Sequence, residues 1–148
     1  MAFYEASGLT IAPAATIDLS YINLWNSGTA DRLRVREIGM TNTAATAAKV
    51  GLKRTTARGT NTTTVLGTAI DNSDAAAAGT LDLTWSVEST KAGNYLRRAQ
   101  IASVIGAGLL WTWWNGPGLV VPTSAGITLV VPTAVAGSAC ECWMVWEE

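Results

Sequence analysis

The sharpest pattern in the chain lies at residues 81–88. Leu81, Leu83, Trp85 and Val87 alternate with Asp82, Thr84, Ser86 and Glu88. Successive side chains on a strand point to opposite faces, so this stretch is expected to be a half-buried strand. Residues 16–25 read the same way, with Ile17, Leu19 and Tyr21 on one face. Over residues 32–40 the phase changes. Leu33 and Val35 oppose Arg32, Arg34 and Arg36, and then Ile38 and Met40 take the apolar side. One extra residue in a bulge near residues 37–39 accounts for the flip. Further strands are expected around Val50 and Leu52 and over residues 65–70, 109–114, 127–131 and 139–146. Turn-forming clusters separate them, among them Asn26-Ser-Gly28, Asp71-Asn-Ser-Asp74 and Asn115-Gly-Pro-Gly118.

Helix signals are weak. The Ala-rich stretches 43–49 and 75–78 are expected to form single turns at most, and residues 94–104 fit a period of two better than 3.6. The five residues Leu-Val-Val-Pro-Thr occur at 119–123 and again at 129–133. Proline has no N–H for a ladder and ends strands, so the pair reads as two proline-terminated strands of a hairpin. Two units do not make a repeat protein. The fold class expected is all-β: an antiparallel β-sandwich or jelly roll of about eight strands with little helix. Residues 16–148 form its single domain. Residues 1–15, weakly periodic, are expected to be an N-terminal arm carrying Phe3 and Tyr4 onto a neighbour.

Composition changes this picture in one respect. The 148 residues suffice for a real core. Yet hydrophobic residues make up 49% and charged ones 14%, against an ordinary charged share of about 25%. Polar Thr, Ser and Asn, or other subunits, must then cover the outside. The opening Met-Ala-Phe-Tyr-Glu-Ala has neither a charged nor an apolar leader region, so no secretory signal is expected. No run of apolar residues is long enough to suggest a membrane span.

Candidate chemistry is sparse. Net charge is −1 and histidine is absent, which removes the usual general base and the commonest metal ligand. Cys140-Glu-Cys142 would place two thiols on one strand face. An i,i+2 disulfide is strained, and zinc needs about four ligands, so two buried reduced thiols are expected. Asp71 and Asp74 lack the glycine and distal Glu of a calcium loop and read as turn residues. Asn61-Thr-Thr63 has the form of a glycosylation acceptor, which means little without secretion. Arg32, Arg34 and Arg36 form a basic stripe, with Arg97 and Arg98 nearby in type. No aromatic interleaves the stripe, so a guarded strand face paired to Asp31, Glu37 or Glu88 is expected rather than nucleic-acid binding. No nucleophile–base pair, cofactor motif or metal cluster is visible, and an enzyme is not expected.

Tryptophan is the conspicuous excess, seven against one Phe and three Tyr. Trp111, Trp113 and Trp114 fall in one expected strand, and Trp143 and Trp146 in the last. Both faces of these two strands are apolar. One face can pack a core; the other needs a cover, and a subunit interface is the simplest one. A sugar-stacking platform is the rival use.

The C-terminal half also carries an ordered series: Tyr95-Leu-Arg-Arg98, Ile105-Gly-Ala-Gly-Leu-Leu-Trp-Thr-Trp113, Gly118-Leu-Val-Val-Pro122, Gly126-Ile-Thr-Leu129 and the terminal Trp146-Glu-Glu148. This series resembles small jelly-roll structural proteins of tailed bacteriophages. The resemblance covers a third to a half of the chain and includes no catalytic residue. It implies a virion component assembled in the host cytoplasm and placed on the capsid exterior. That component would be a decoration or cement protein, often trimeric, bound to the major capsid protein without a cofactor. A tail or fibre part and a glycan-binding module are the alternatives. The resemblance and the tryptophan pattern together make Phe3, Tyr4, Trp111, Trp113, Trp114, Trp143 and Trp146 the expected interface.

Overall fold

The computed structural model describes residues 1–28 and 32–148. Twelve strands are present and no helix occurs among the described residues. The front sheet contains β1 (Phe3–Leu9), β3 (Arg32–Asn42), β6 (Thr68–Ala69), β9 (Gly108–Thr112), β10 (Leu119–Pro122) and β12 (Cys140–Glu147). Its order is β10-β3-β12-β1-β6, with β9 pairing on β3 beside β10. The back sheet has the order β5-β7-β2-β11-β4-β8. Its strands are β2 (Ser20–Asn26), β4 (Ala48–Ala57), β5 (Thr60–Leu66), β7 (Gly79–Val87), β8 (Thr90–Ile101) and β11 (Gly126–Val130). Every pairing is antiparallel.

The connectivity is that of a jelly roll. The first strand lies beside the last, and most successive strands switch sheets. The strand count exceeds the expected eight for two reasons. One front-sheet position is split into β9 and β10, which pair with successive segments of β3. In addition, β5, β6 and β7 are inserted between the neighbours β4 and β8 and extend the sheets at β2 and β1. Residues 3–9, expected in a free arm, instead make a full strand paired along β12 from Phe3↔Glu147 to Leu9↔Glu141. Alternation explains why: Tyr4 and Ala6 face the core while Glu5 and Ser7 face out.

The phase flip in β3 is a bulge, one residue earlier than expected. Val145 pairs with Glu37 and Trp146 with Val35, which leaves Arg36 as the extra residue. Leu33, Val35, Ile38 and Met40 are all fully buried as a result. The two Leu-Val-Val-Pro copies are not a hairpin. β10 pairs with β3 in the front sheet, whereas β11 lies between β2 and β4 in the back sheet. The segment after Pro122 carries the chain from one sheet to the other. Leu81 and Leu83 are buried as expected, but Asp82 on the opposite face is buried too, and Val87 is exposed.

That buried Asp82 reveals how the back sheet is covered. Ala57 pairs with Thr90, and Thr60 with Val87. The β4–β5 and β7–β8 connections therefore run together as a ribbon from the β4–β8 edge to the β5–β7 edge. Beneath it lies a polar layer of buried side chains. Asn23 accepts from Thr55 at 2.7 Å and donates to Asp82 at 3.3 Å, and Arg58 donates to both Asp82 oxygens. Each polar group at 0–5% exposure here has a partner, as burial demands. Glu88 takes Ser20 Oγ at 2.7 Å and Lys91 Nζ at 2.8 Å, and Lys53 pairs with Asp18 at 2.7 Å.

Burial by itself would raise the Glu88 carboxyl, but the bonds from Lys91 and Ser20 outweigh it and hold the group below its usual value. A folded value below the unfolded one stabilises the fold above the unfolded value, near 4.3. That contribution is lost as pH falls through the lowered folded value. Thermal melts between about pH 5 and pH 2 should therefore show a smaller acid loss in Glu88→Gln than in the parent protein.

Candidate interaction face

The ribbon closes the outer face of the back sheet. The outer face of the front sheet carries no ribbon among the described residues: loop 113–118 covers one end of it, where Glu147 is buried, and strand register determines what the rest displays. Val145 stands between Glu5 and Glu37. One row along, Trp143 stands between Ser7 and Gly39, with Leu110 beyond. The six-membered ring of Trp143 covers Gly39, where a Cβ would lie 1.9 Å from the indole. Its Nε1 donates to Glu37 Oε1 at 2.8 Å. Glycine at 39 is thus needed for close approach, and the indole is pinned with one side down.

The bulged Arg36 builds the other half of the face. Its Nε and Nη2 donate to Glu147 Oε2 at 2.9 and 2.5 Å, and its Nη1 donates to Gly116 O at 2.7 Å and Trp113 O at 3.3 Å. The pair is nearly dry, with side-chain exposures of 11% and 2%. Trp113 N returns a bond to Arg36 O at 2.8 Å. Loop 113–118 is thereby tied to β3, and Gly116 and Gly118 supply its positive φ values of 103° and 74°. From this loop Trp114 projects half exposed, its ring centroid 5.9 Å from that of Phe3. Leu110 and Leu9 add exposed apolar surface on the same side.

The expected interface residues separate into two groups. Phe3, Trp114 and Trp143 meet on the outer face. Tyr4 and Trp146 do not reach the surface, because the register turns them inward. Trp146 is fully buried and Tyr4 nearly so, and their rings stack with centroids 6.0 Å apart. Tyr4 Oη donates to Ala75 O, and Trp146 Nε1 to Glu148 Oε1, both at 2.9 Å. Trp111 pairs opposite the core residue Ile38 and packs partly buried against the core. Trp113 is half-buried with the Arg97 guanidinium 4.6 Å above it. Sequence reading missed Leu9 and Leu110. Their signal was present in the alternation of β1 and β9, but the first was assigned to an arm.

Among the described residues, no group of three or more His, Cys, Asp or Glu gathers as a metal site. Asp71 Oδ1 accepts from Ser73 N and Oγ, an Asx turn whose bonds lower the Asp71 carboxyl. The arginine stripe is not paired as expected: Arg36 holds Glu147, Glu37 serves Trp143, and Glu88 serves Lys91. Asp31 lies outside the described residues.

Cys140 and Cys142 are free and fully buried on the core side of β12. Burial pushes the Cys140 thiol up to about 12 and Cys142 well above the ordinary thiol range. A thiol reagent at about pH 8 is expected to find no reactive sulfur in the native protein and two after denaturation. Fast native labelling would contradict this packing.

Compared with known proteins, the chain matches no family model, no curated protein and no solved structure.

Proposed function

We propose that this protein is a non-enzymatic virion component, a phage capsid decoration or cement protein. In this reading it assembles as a homo-oligomer, with a trimer favoured, binds the major capsid protein on the capsid exterior and stabilises the head. One observation carries the reading: an open sheet face that presents Phe3, Trp114, Trp143, Leu110 and Leu9 from a rigid sandwich whose opposite face is closed by its own ribbon. A specific interface takes about 800 Å² from each partner. Exposed aromatic anchors with a charged surround suit such a contact; here Glu5, Glu37 and Glu141 flank the apolar rows.

Purified particles test the proposal. A cement protein is expected in copy numbers comparable to the major capsid protein, and heads lacking it should burst at lower temperature. Re-adding the parent protein should restore robustness, and Trp114→Asp should not. Low copy number would favour a tail or fibre part.

The pinned Trp143 indole favours a second reading, glycan stacking. It predicts saturable quenching of tryptophan fluorescence by oligosaccharides, whereas the cement reading predicts none.

A further inference from the structure

Four cations of the described residues hold a carboxylate: Arg36 with Glu147, Lys53 with Asp18, Arg58 with Asp82 and Lys91 with Glu88. Arg54 departs from this pattern. Its β4 position continues the core-side row of Val50 and Leu52, and it pairs in register with the buried Ile127. A guanidinium in such a row needs a reason, because an inward cation is costly unless paired. Its Nη1 donates at 2.6 Å to Val120 O, on the edge strand β10 of the opposite sheet. No carboxylate among the described residues pairs with it.

Arg54 lines a cleft of about 590 Å³ between the β10 edge and the adjoining ends of β4 and β8. Val120, Pro122, Ala92 and Ala125 give it an apolar wall, and the hydroxyl residues Thr55, Thr56 and Ser124 also border it. The volume falls in the range of ordinary small-ligand sites. Apolar walls around one cation form an amphipathic site. With Nη1 committed to a carbonyl, the Nε and Nη2 edge has no partner among the described residues, and that fork matches two oxygens of a carboxylate.

We infer that this cleft binds a carboxylate carried on an unbranched apolar body, of the medium-chain fatty-acid class, with Arg54 on the head group and the Val120–Pro122 wall along the tail. The inference is independent of the capsid reading, since the cleft lies on the flank of the sandwich, away from the outer face that carries Trp114 and Trp143.

Calorimetric titration of the full chain with octanoate tests it, with octanol and acetate as controls for tail and head. Saturable octanoate binding is expected, with acetate much weaker. Arg54→Gln should weaken octanoate about tenfold or more and leave octanol unchanged, while Arg54→Lys should restore part of the loss. Ala125→Phe, which fills the cleft, should weaken octanoate and octanol alike. An unchanged thermal melt for each variant keeps misfolding separate from lost binding. Absence of saturable octanoate binding would overturn the inference. So would equal affinity for octanoate in the parent and Arg54→Gln proteins, or octanol binding as tight as octanoate.

Discussion

Arg36→Met is expected to lower stability by about 3–5 kcal/mol, the cost of stranding a buried charge. The partner left behind is Glu147, 1% exposed, whose Oε1 is already buried without a hydrogen bond. The same substitution removes both side-chain ties to loop 113–118 and leaves only the backbone bond from Trp113 N to Arg36 O, so Trp114 should lose its fixed position against Phe3. Urea unfolding measures the first effect and acrylamide quenching of tryptophan emission the second. Adding Glu147→Gln to Arg36→Met should recover part of the stability, because the stranded charge goes. It should not restore the loop, because the carbonyls of Trp113 and Gly116 still lack their donor. A loss under about 1 kcal/mol in the single variant would mean that water reaches the pair.

Trp146→Ala is expected to cost a similar amount, about 3–5 kcal/mol, through the cavity it opens. The ring fills space that two glycines leave for it: a Cβ at Gly67 or Gly79 would approach it to 2.4 or 2.9 Å. Its loss also unstacks Tyr4. Trp114→Ala should change stability by no more than about 0.5 kcal/mol, as surface changes usually do. On the proposed function it should nevertheless weaken attachment. The two tryptophans thus make a matched test, one holding the fold and the other, on the proposed function, facing a partner. Equal destabilisation by both would contradict the placement.

These two residues also show what a sequence can and cannot disclose. Period-two alternation was sufficient to find most of the strands, though not β1 or most of β5, to place the β3 bulge within a residue and to separate the two faces of β12, because side-chain direction follows directly from strand geometry. It could not say which face of β12 is the core, since Cys142, Met144 and Trp146 are no more apolar than Trp143 and Val145. Only pairing with β1 and β3 decides that. Residues 1–15 misled for a related reason: Phe3-Tyr-Glu-Ala-Ser-Gly-Leu9 has one strong inward residue, Tyr4, and small ones after it. Their smallness makes room: a Cβ at Gly8 would meet Leu83 at 2.6 Å. Asp82 was placed correctly on the outer face of its strand, but the ribbon that buries it is a long-range feature with no local signal. The Leu-Val-Val-Pro copies misled because a hairpin and a sheet-to-sheet crossover require similar turn residues.

The proposed function requires that the outer face of the front sheet is where this molecule meets another. Hydroxyl-radical footprinting of the protein free and on assembled heads reads that side chain by side chain. Trp114, Leu110 and Leu9 are expected to become protected on assembly while Val104 and Ile105, in the loop before β9, keep their reactivity. Unchanged labelling of Trp114 and Leu110, with protection elsewhere, would contradict it.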